Sequence, residues 1–387
     1  MSGLPGELDL SVLWGIKYVP GIWFNSVVKM PFLISDALVA LLLFKVVFQL
    51  SGSRKAGEGA AVAWFLNPYL IWISSGWGMF DTLPALFTVG SFYFLLRNRF
   101  GFSALFLAIG VAYKAYPILF LVPVTFFFLR SKSIVKLHEA LARFYLVFVG
   151  ATAVLFFPAL YLVTVFSSDL WIMTISGVVG EGLTYWSFAL MLPMDIKLAT
   201  LSSIAIGIIL LASVCWKTCR LSFSSPFFEL AAAQLALILV IYLSYRIILP
   251  QFFVWSLPFI IVLLAEGRVE ELIYRASSLL ALIYSLTACI LPLFMLPMTP
   301  WIGGALVQSM RILQPFRVRA DGLSGTVFTP TLSFGSAFLA ALGACFSILM
   351  VVLLIESLYK PNQRLLTRHM PKTLNRLLCL LKIQVPA

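Results

Sequence analysis

The chain has 387 residues, of which 61% are hydrophobic and 11% are charged, and its formal net charge is +12. Soluble domains carry roughly 25% charged residues, so this chain has too few to cover a water-facing surface. Its basic residues lie in short loops between apolar runs, not in a patch interleaved with aromatic residues. The composition therefore predicts an integral membrane protein and argues against nucleic acid as a partner.

Apolar runs along the chain predict an all-α, polytopic transmembrane bundle. A spanning helix needs about 20 predominantly apolar residues, and about eight runs meet this requirement. The predicted full spans are 30–50, 59–75, 79–96, 141–166, 196–214, 227–247, 271–296 and 331–355.

Two further apolar stretches are shorter or interrupted, and the positive-inside rule decides how they run. With the basic loops on the inner face, residues 101–129 must form a short, broken helical pair that turns at Lys114. Residues 250–265 must likewise return from the outer face. The predicted organisation is one transmembrane domain over 30–355, with further regions outside it. These are an outer-face segment at 1–29, outer loops at 167–195 and 297–330, and a basic cytoplasmic tail at 356–387.

The Asp residues all fall in the predicted outer segments or near the outer ends of helices. Acidic residues have little influence on membrane topology, so this bias indicates a functional site and not a topology determinant. Ionisable residues inside apolar spans are costly unless paired or hydrated, and they mark functional sites. In the predicted topology Asp36, Asp81, Lys114, Arg246 and Gln251 approach the same outer surface.

This group predicts a polar pocket for an anionic head group. Lys114, Arg246 and Gln251 are candidate phosphate contacts, since ammonium and guanidinium groups suit phosphate oxygens. Asp36 and Asp81 are candidate catalytic carboxylates, able to take the proton of a sugar hydroxyl. The alternative is that the charges form internal ion pairs, Asp36 with Lys114 or Asp81 with Arg246, which hold helices together.

Three more residues are candidates for substrate binding. Asn67 precedes a helix-interrupting proline, and Glu181 and Tyr185 lie in the outer loop 167–195. A carboxylate beside aromatic rings commonly holds sugars, although a structural kink at Asn67 and an interfacial aromatic belt in the loop explain the same residues. We assign no metal ligands, because no acidic spacing demands them, although the acids could hold a divalent cation.

Five short motifs occur in a characteristic order. They are Lys29-x6-Asp36, Trp64-Phe65-Leu66-Asn67-Pro68, Ser75-Gly76-Trp77-Gly78-Met79-Phe80-Asp81, Tyr113-Lys114-Ala115-Tyr116-Pro117 and Arg246-x4-Gln251-Phe252-Phe253-Val254-Trp255-Ser256-Leu257-Pro258. Their order and spacing resemble those of the polyprenyl-phosphate-sugar-dependent glycosyltransferases of the GT-C superfamily. The resemblance is to the family that adds the first mannose in glycosylphosphatidylinositol (GPI) synthesis, and to its prokaryotic relatives.

The resemblance implies a membrane mannosyltransferase with a GT-C-like fold. Such an enzyme would move a hexose, here mannose, from a polyprenyl- or dolichyl-phosphate donor to a lipid-linked acceptor on the outer or luminal face, with inversion. Its expected partners are therefore the lipid-linked donor, the acceptor and membrane lipids.

The resembled family carries a first helix and an acidic loop ahead of the position of Lys29. Here only Glu7 and Asp9 offer acids in that region, so we expect that this helix is missing or that the member is divergent or inactive. Two other function classes stay open: a membrane transporter or lipid flippase, which also uses broken helices and buried charges, and a non-catalytic accessory subunit. The chain has few elaborations, which favours a prokaryotic cell membrane over an endoplasmic reticulum.

Overall fold

The residues that the structure describes are helical almost throughout. The computed structural model describes residues 22–130, 137–175, 181–187, 196–220, 226–287 and 334–359. Within them the α-helices are α1 (Ile22–Ser51), α2 (Arg54–Phe65), α3 (Pro68–Ile71), α4 (Thr82–Leu96), α5 (Phe100–Tyr113), α6 (Leu121–Arg130), α7 (Leu137–Ile175), α8 (Ile196–Arg220), α9 (Pro226–Ser244), α10 (Leu257–Glu266), α11 (Glu271–Ser285) and α12 (Phe334–Tyr359). Shorter pieces join them: a π-helical stretch (Trp72–Trp77), 3-10 helices (Tyr116–Phe120 and Pro250–Trp255), and strands β1 (Glu181–Gly182) and β2 (Ile247–Ile248).

Five of the described helices are long and apolar enough to cross a membrane. Their apolar segments are Ser26–Ser51, Leu137–Phe157, Lys197–Thr218, Pro226–Ser244 and Phe338–Leu358. Shorter apolar helices accompany them: Thr82–Leu96, Phe100–Tyr113, Tyr116–Leu129 and Leu257–Glu266. The predicted class, an all-α polytopic membrane bundle, is confirmed, and the described residues combine long spans with shorter helices.

The interruption predicted at Asn67-Pro68 within 59–75 is confirmed, and the chain forms three helical pieces there. Helix α2 ends at Phe65, and the Asn67 side chain caps α3 by accepting the backbone N–H of Tyr69 at 3.0 Å. Proline lacks an N–H and is tolerated in the first helical turn, which is where Pro68 lies. The π-helical stretch Trp72–Trp77 then follows in place of a continuing α-helix.

The predicted turn inside residues 101–129 is confirmed. Helix α5 ends at Tyr113, and the backbone of Lys114 is extended, with φ −159° and ψ 144°. The 3-10 helix Tyr116–Phe120 and α6 return the chain from this turn.

Other predictions differ in their boundaries or fall outside the described residues. Helix α4 begins at Thr82, and the described part of the predicted span 271–296 is helical from Glu271 to Ser285. The outer loop 297–330, most of the tail 356–387 and the acidic pair Glu7 and Asp9 lie outside the residues that the structure describes.

Helix α9 forms the centre of the bundle. Its apolar segment is 83% buried, compared with 11–39% for the other long helices, and it packs against α8, α10 and α12. Aromatic rings join neighbouring helices to it: Phe92 of α4 contacts Phe227 of α9 and Phe259 of α10 edge to face, each with 6.3 Å between ring centroids. These ring pairs fix the relative rotation of the three helices.

The connection after α9 brings two distant segments together. Strands β1 and β2 pair in parallel, with Glu181 opposite Ile247. The Tyr185 hydroxyl donates to the carbonyl oxygen of Leu243 at 2.9 Å, and its backbone N–H donates to Ser347 Oγ on α12 at 3.0 Å. Residues 181–187 therefore pack against the C-terminal end of α9.

Candidate functional site

Lys114 and Asp81 form an ion pair at the turn between α5 and the following 3-10 helix. The Lys114 Nζ lies 2.6 Å from Asp81 Oδ1. Asp81 occupies the N-cap position of α4, where an Asp side chain ordinarily accepts a backbone N–H of the first turn. Its side chain makes no such capping bond here, because the carboxylate is directed to the lysine instead.

A third side chain, Trp255, completes what we call the Lys114 cluster (Asp81, Lys114 and Trp255). The indole Nε1–H of Trp255 donates to Asp81 Oδ1 at 2.7 Å, so this oxygen accepts both the ammonium and the indole. Trp255 ends the 3-10 helix Pro250–Trp255, which lies 174 residues beyond Asp81 in the chain. The cluster thus joins α4, the end of α5 and the start of α10.

Aromatic faces surround the Lys114 ammonium on several sides. Its Nζ lies 5.2 Å from the ring centroid of Phe80, 4.8 Å from that of Phe252 and 5.1 Å from that of Trp255. Aromatic faces attract cations, and this attraction grows when the site is partly desolvated. The lysine side chain is nevertheless 22% exposed, while the Asp81 side chain is 1% exposed. The cluster therefore presents the cation, and not the carboxylate, to its surroundings.

Lys29 holds the turn that leads into Asp81. Its ammonium donates to the carbonyl oxygens of Ser75 at 3.0 Å and Gly76 at 2.7 Å, at the end of the π-helical stretch. Gly78 then adopts φ +82°, which favours glycine, and a Cβ there would lie 2.8 Å from Lys29 Cε. The lysine and the glycine together set the path of the chain into the Lys114 cluster.

Asp36 lies on α1 beside the same turn. It is 6% exposed, and its Oδ1 has no hydrogen-bond partner among the described residues. The neighbouring Ser35 Oγ donates to the backbone oxygen of Thr82 at 2.8 Å, which places this part of α1 against the start of α4. Lys114 pairs with Asp81 and not with Asp36, so the Asp36–Lys114 pair considered from the sequence is not formed, and Asp81 has Lys114 as its cation.

The predicted phosphate contacts Gln251 and Arg246 lie on the connection after α9. Gln251 is buried within the same 3-10 helix as Trp255, and its Oε1 has no partner among the described residues. Arg246 is half-buried and directly precedes β2, whose parallel pairing brings the backbone of Glu181 alongside. Tyr185 stacks on Trp186 with 5.1 Å between ring centroids. Arg246 and Gln251 thus lie on the connection that also carries Trp255, and residues 181–187 pack beside it.

Asn67 is engaged in structural bonds. Its Nδ2 donates to the Tyr274 hydroxyl at 2.9 Å and to Ser278 Oγ at 3.1 Å, both on α11. Its Oδ1 accepts the backbone N–H groups of Tyr69 and Leu70. A role in substrate binding stays a prediction, and the geometry shows an amide whose oxygen and nitrogen both have protein partners.

A second ion cluster was missed by the sequence reasoning. The Arg268 guanidinium contacts Glu229 through two hydrogen bonds of 3.0 and 3.2 Å, and its Nε lies 3.3 Å from Glu266. It also donates to the carbonyl oxygen of Ser357 at 3.3 Å. Burial alone would lower the pKa of the Arg268 guanidinium, but the Glu229 hydrogen bonds and the two carboxylates outweigh burial and raise it. We call Glu229, Glu266 and Arg268 the Arg268 cluster.

The sequence carried signals for the two features that were missed, the Arg268 cluster and the contacts of Trp255. Glu229 is an ionisable residue inside the apolar run 227–247, and Glu266 directly follows the run 250–265. Trp255 stands in the last of the five motifs but had no role assigned to it. Among the described residues, no group of three or more His, Cys, Asp or Glu side chains could hold a metal ion.

Comparisons with known proteins agree with the resemblance seen in the motifs. The family described as "GPI transamidase subunit PIG-U" matches residues 8–185. The protein named GPI mannosyltransferase 1 of Saccharomyces cerevisiae is 27% identical over 110 residues, which is 28% of this chain and 27% of the relative. The proteins of the same name from Candida albicans and Kluyveromyces lactis are 28% identical over 106 residues and 30% identical over 105 residues.

The family resemblance is confirmed. The matched stretch spans 25–27% of the length of the GPI mannosyltransferase 1 relatives and 27–28% of this chain. The PIG-U match includes Asp36, Asp81 and Lys114, whereas Arg246, Gln251 and Trp255 lie beyond it. The PIG-U match thus covers the part of the chain that supplies the Asp81–Lys114 ion pair, and the GPI mannosyltransferase likeness covers about a quarter of the chain.

Proposed function

We propose that this multi-pass membrane protein is a mannosyltransferase, which transfers mannose from a polyprenyl- or dolichyl-phosphate donor to a lipid-linked acceptor. The single observation that carries the proposal is the Lys114 ammonium, held by a buried carboxylate and aromatic rings yet partly exposed. An ammonium offers three protons, and among the described residues the Asp81 bond uses one of them. The remaining donor capacity suits phosphate oxygens.

The proposed reaction is an inverting displacement at the anomeric carbon of the donor sugar. An acceptor hydroxyl oxygen attacks the anomeric carbon as the bond from that carbon to the phosphate oxygen breaks, which inverts the configuration. The hydroxyl proton passes to a carboxylate, and the departing lipid phosphate gains a second negative charge. A cation preorganised beside the phosphate stabilises this developing charge more than it stabilises the donor in the ground state.

Asp36 and Asp81 remain the proposed carboxylates. Each keeps one oxygen without a hydrogen-bond partner among the described residues, Oδ1 in Asp36 and Oδ2 in Asp81. We assign Arg246 and Gln251 as further donor-phosphate contacts, because they lie on the connection that carries Trp255 into the Lys114 cluster. Glu181 and Tyr185 are proposed as sugar contacts, because residues 181–187 pair with and pack beside that connection.

The experiment is transfer of radiolabelled mannose from polyprenyl-phosphate mannose to membrane lipids, by membranes that contain the full chain. Transfer by the wild type and its loss in Lys114→Ala are expected. Arg275→Ala is the matched control, since this arginine forms an exposed pair with Glu271 on α11 and lies outside the proposed site. Absence of transfer by the wild-type chain, in membranes supplied with donor and acceptor lipids, would overturn the proposal.

A non-catalytic subunit is the second candidate, and the match to the PIG-U family favours it. In that case the Asp81–Lys114 pair would be a structural bond between α4 and the end of α5. The subunit role predicts that Lys114→Ala and Asp36→Asn still support attachment of a GPI-anchored reporter in cells depleted of PIG-U. Loss of reporter attachment in both variants, with normal protein levels, would contradict it.

The proposal also includes the membrane face on which the site lies. We infer an outer or luminal face for the Lys114 cluster from the placement of the basic loops on the inner face. The relatives reported above are yeast proteins, so the comparisons give no support to the prokaryotic cell membrane expected from the sequence. A transporter or flippase commonly holds its site between repeated halves, and the sequence shows no internal repeat.

A further inference from the structure

Trp255 makes more specific contacts than a space-filling core residue needs. Its ring stacks on Tyr116 with 4.4 Å between centroids and an interplanar angle of 6°, and on Phe252 at 4.3 Å and 23°. The side chain is 6% exposed, and its indole N–H reaches Asp81 Oδ1 at 2.7 Å. The two stacked rings fix the plane of the indole and hence the direction of its single N–H.

The oxygen that Trp255 contacts is the one that pairs with Lys114. Two donors therefore converge on Asp81 Oδ1, and both bonds involve a charged group, which makes them stronger than bonds between neutral groups. The same indole ring also faces the ammonium, at 5.1 Å from its centroid. Moving the indole would therefore shift both members of the ion pair.

Packing alone does not account for this arrangement. Trp64 is a fully buried tryptophan whose Nε1 has no hydrogen-bond partner among the described residues, so this chain can bury an indole without using its N–H. The Trp255 indole N–H, in contrast, donates to a carboxylate oxygen, Asp81 Oδ1.

We propose that Trp255 is a positioning residue, whose indole N–H holds the Asp81 carboxylate and thereby sets where the Lys114 ammonium meets the donor phosphate. This inference rests on the proposed function for its substrate, a polyprenyl phosphodiester. Trp255 does not itself touch the reacting atoms. It acts through Asp81 and Lys114, from a segment that lies outside the part of the chain matched by the PIG-U family.

The test compares Trp255→Phe with Trp64→Phe in the full chain, reconstituted in lipid nanodiscs. Phenylalanine keeps an aromatic ring but removes the N–H at either position. We measure the affinity for polyprenyl phosphate, the KM and kcat for polyprenyl-phosphate mannose, and the thermal unfolding midpoint. A hydrogen bond to a charged group corresponds to about a 10- to 100-fold effect, so Trp255→Phe is expected to weaken phosphate binding and raise the donor KM by that factor. Trp64→Phe is expected to leave both unchanged.

A spectroscopic signature separates positioning from general loosening of the fold. In protein labelled with 15N-tryptophan, the Trp255 indole resonance is identified by its absence in Trp255→Phe. Asp81→Asn is expected to shift this resonance more than that of any other tryptophan. Addition of polyprenyl phosphate is expected to shift it in the wild type and not in Lys114→Met.

The outcomes distinguish this inference from the proposed function. If the wild type bound polyprenyl phosphate with an affinity that falls in Trp255→Phe but transferred no mannose, the proposed function would be overturned and the positioning role kept. Equal phosphate affinity in wild type, Trp255→Phe and Trp64→Phe would overturn the positioning role, whatever the transfer activity. Absence of phosphate binding by the wild type would overturn both.

Discussion

Helix α10 carries an ion cluster at each end, and the two clusters differ in composition and access. Before its first residue, Trp255 and Asp81 hold Lys114, whose side chain is 22% exposed. After its last turn, Arg268 is 3% exposed and faces two carboxylates, Glu229 and Glu266. A helix of this length separates the clusters by about 15 Å.

The difference lies in how much hydrogen-bonding capacity each cation retains. A guanidinium has five N–H donors, and Arg268 directs its donors to Glu229, Glu266 and the carbonyl oxygen of Ser357. The Lys114 ammonium uses one proton on Asp81 and remains partly exposed. We infer that the Arg268 cluster joins α9, α10 and α12, and that the Lys114 cluster is the one built to meet a ligand.

Removal of Arg268 should have the largest effect on folding. Arg268→Met leaves two buried carboxylates without their cation, and breaking a buried pair in this way costs about 3–5 kcal/mol. We expect a strongly lowered thermal unfolding midpoint of the purified protein in detergent, with activity lost in proportion to the folded fraction. The Glu229→Gln/Arg268→Met double variant should recover part of this loss, because it removes one of the unpaired charges. A wild-type midpoint in Arg268→Met would show that the cluster does not hold the helices.

Removal of the Lys114 charge should mainly affect transfer. Lys114→Met keeps an unbranched side chain among the aromatic rings but offers no donor to the phosphate, and loss of one such preorganised donor costs about 100-fold in rate. The unfolding midpoint should fall less than in Arg268→Met, since Asp81 retains the Trp255 hydrogen bond. The measurement is mannose transfer per folded protein. Equal losses of stability in the two variants, with no specific loss of transfer, would erase the distinction between the clusters.

The helices and the position of the Lys114 turn could be predicted from the sequence. Apolar runs long enough to span a bilayer leave little choice of secondary structure, because backbone groups in lipid must bond internally. The turn at Lys114 followed from the positive-inside rule, which requires residues 101–129 to start and end on the inner face. Asn67-Pro68 was predicted as a helix interruption, but an apolar run does not show that a π-helical stretch follows it.

The pairing of the charges could not be predicted in the same way. Asp81, Asp36 and Lys114 were expected to approach one surface, but which pair forms depends on helix rotation and on the Gly78 turn. The partner of Arg268 could not be predicted from the sequence, because Glu229 lies 39 residues earlier on another helix. Hydropathy gives the order of the helices along the chain but not the direction in which a side chain points.

The role of Asn67 can be decided by comparing stability with substrate kinetics. Asn67→Ala removes the side-chain oxygen that caps α3 and the amide that reaches α11, and loss of a cap costs about 1–2 kcal/mol. We expect a lower unfolding midpoint with an unchanged donor KM. A raised KM at an unchanged midpoint would instead support the substrate-binding role predicted from the sequence.

Arg275 supplies the smallest expected effect and the sharpest control on the comparison. It pairs with Glu271 four residues earlier on α11, with side chains 73% and 63% exposed, and such helical pairs contribute less than about 0.5 kcal/mol. Arg275→Ala should therefore leave the unfolding midpoint and mannose transfer close to wild type. Arg268 and Arg275 are both arginines that face glutamates. A large difference in stability between their variants would therefore come from burial, because burial removes the water that screens an exposed charge. If Arg275→Ala destabilised the protein as much as Arg268→Met, exposure could not be what separates a structural cation from an available one, and the assignment of Lys114 to a ligand would lose its physical basis.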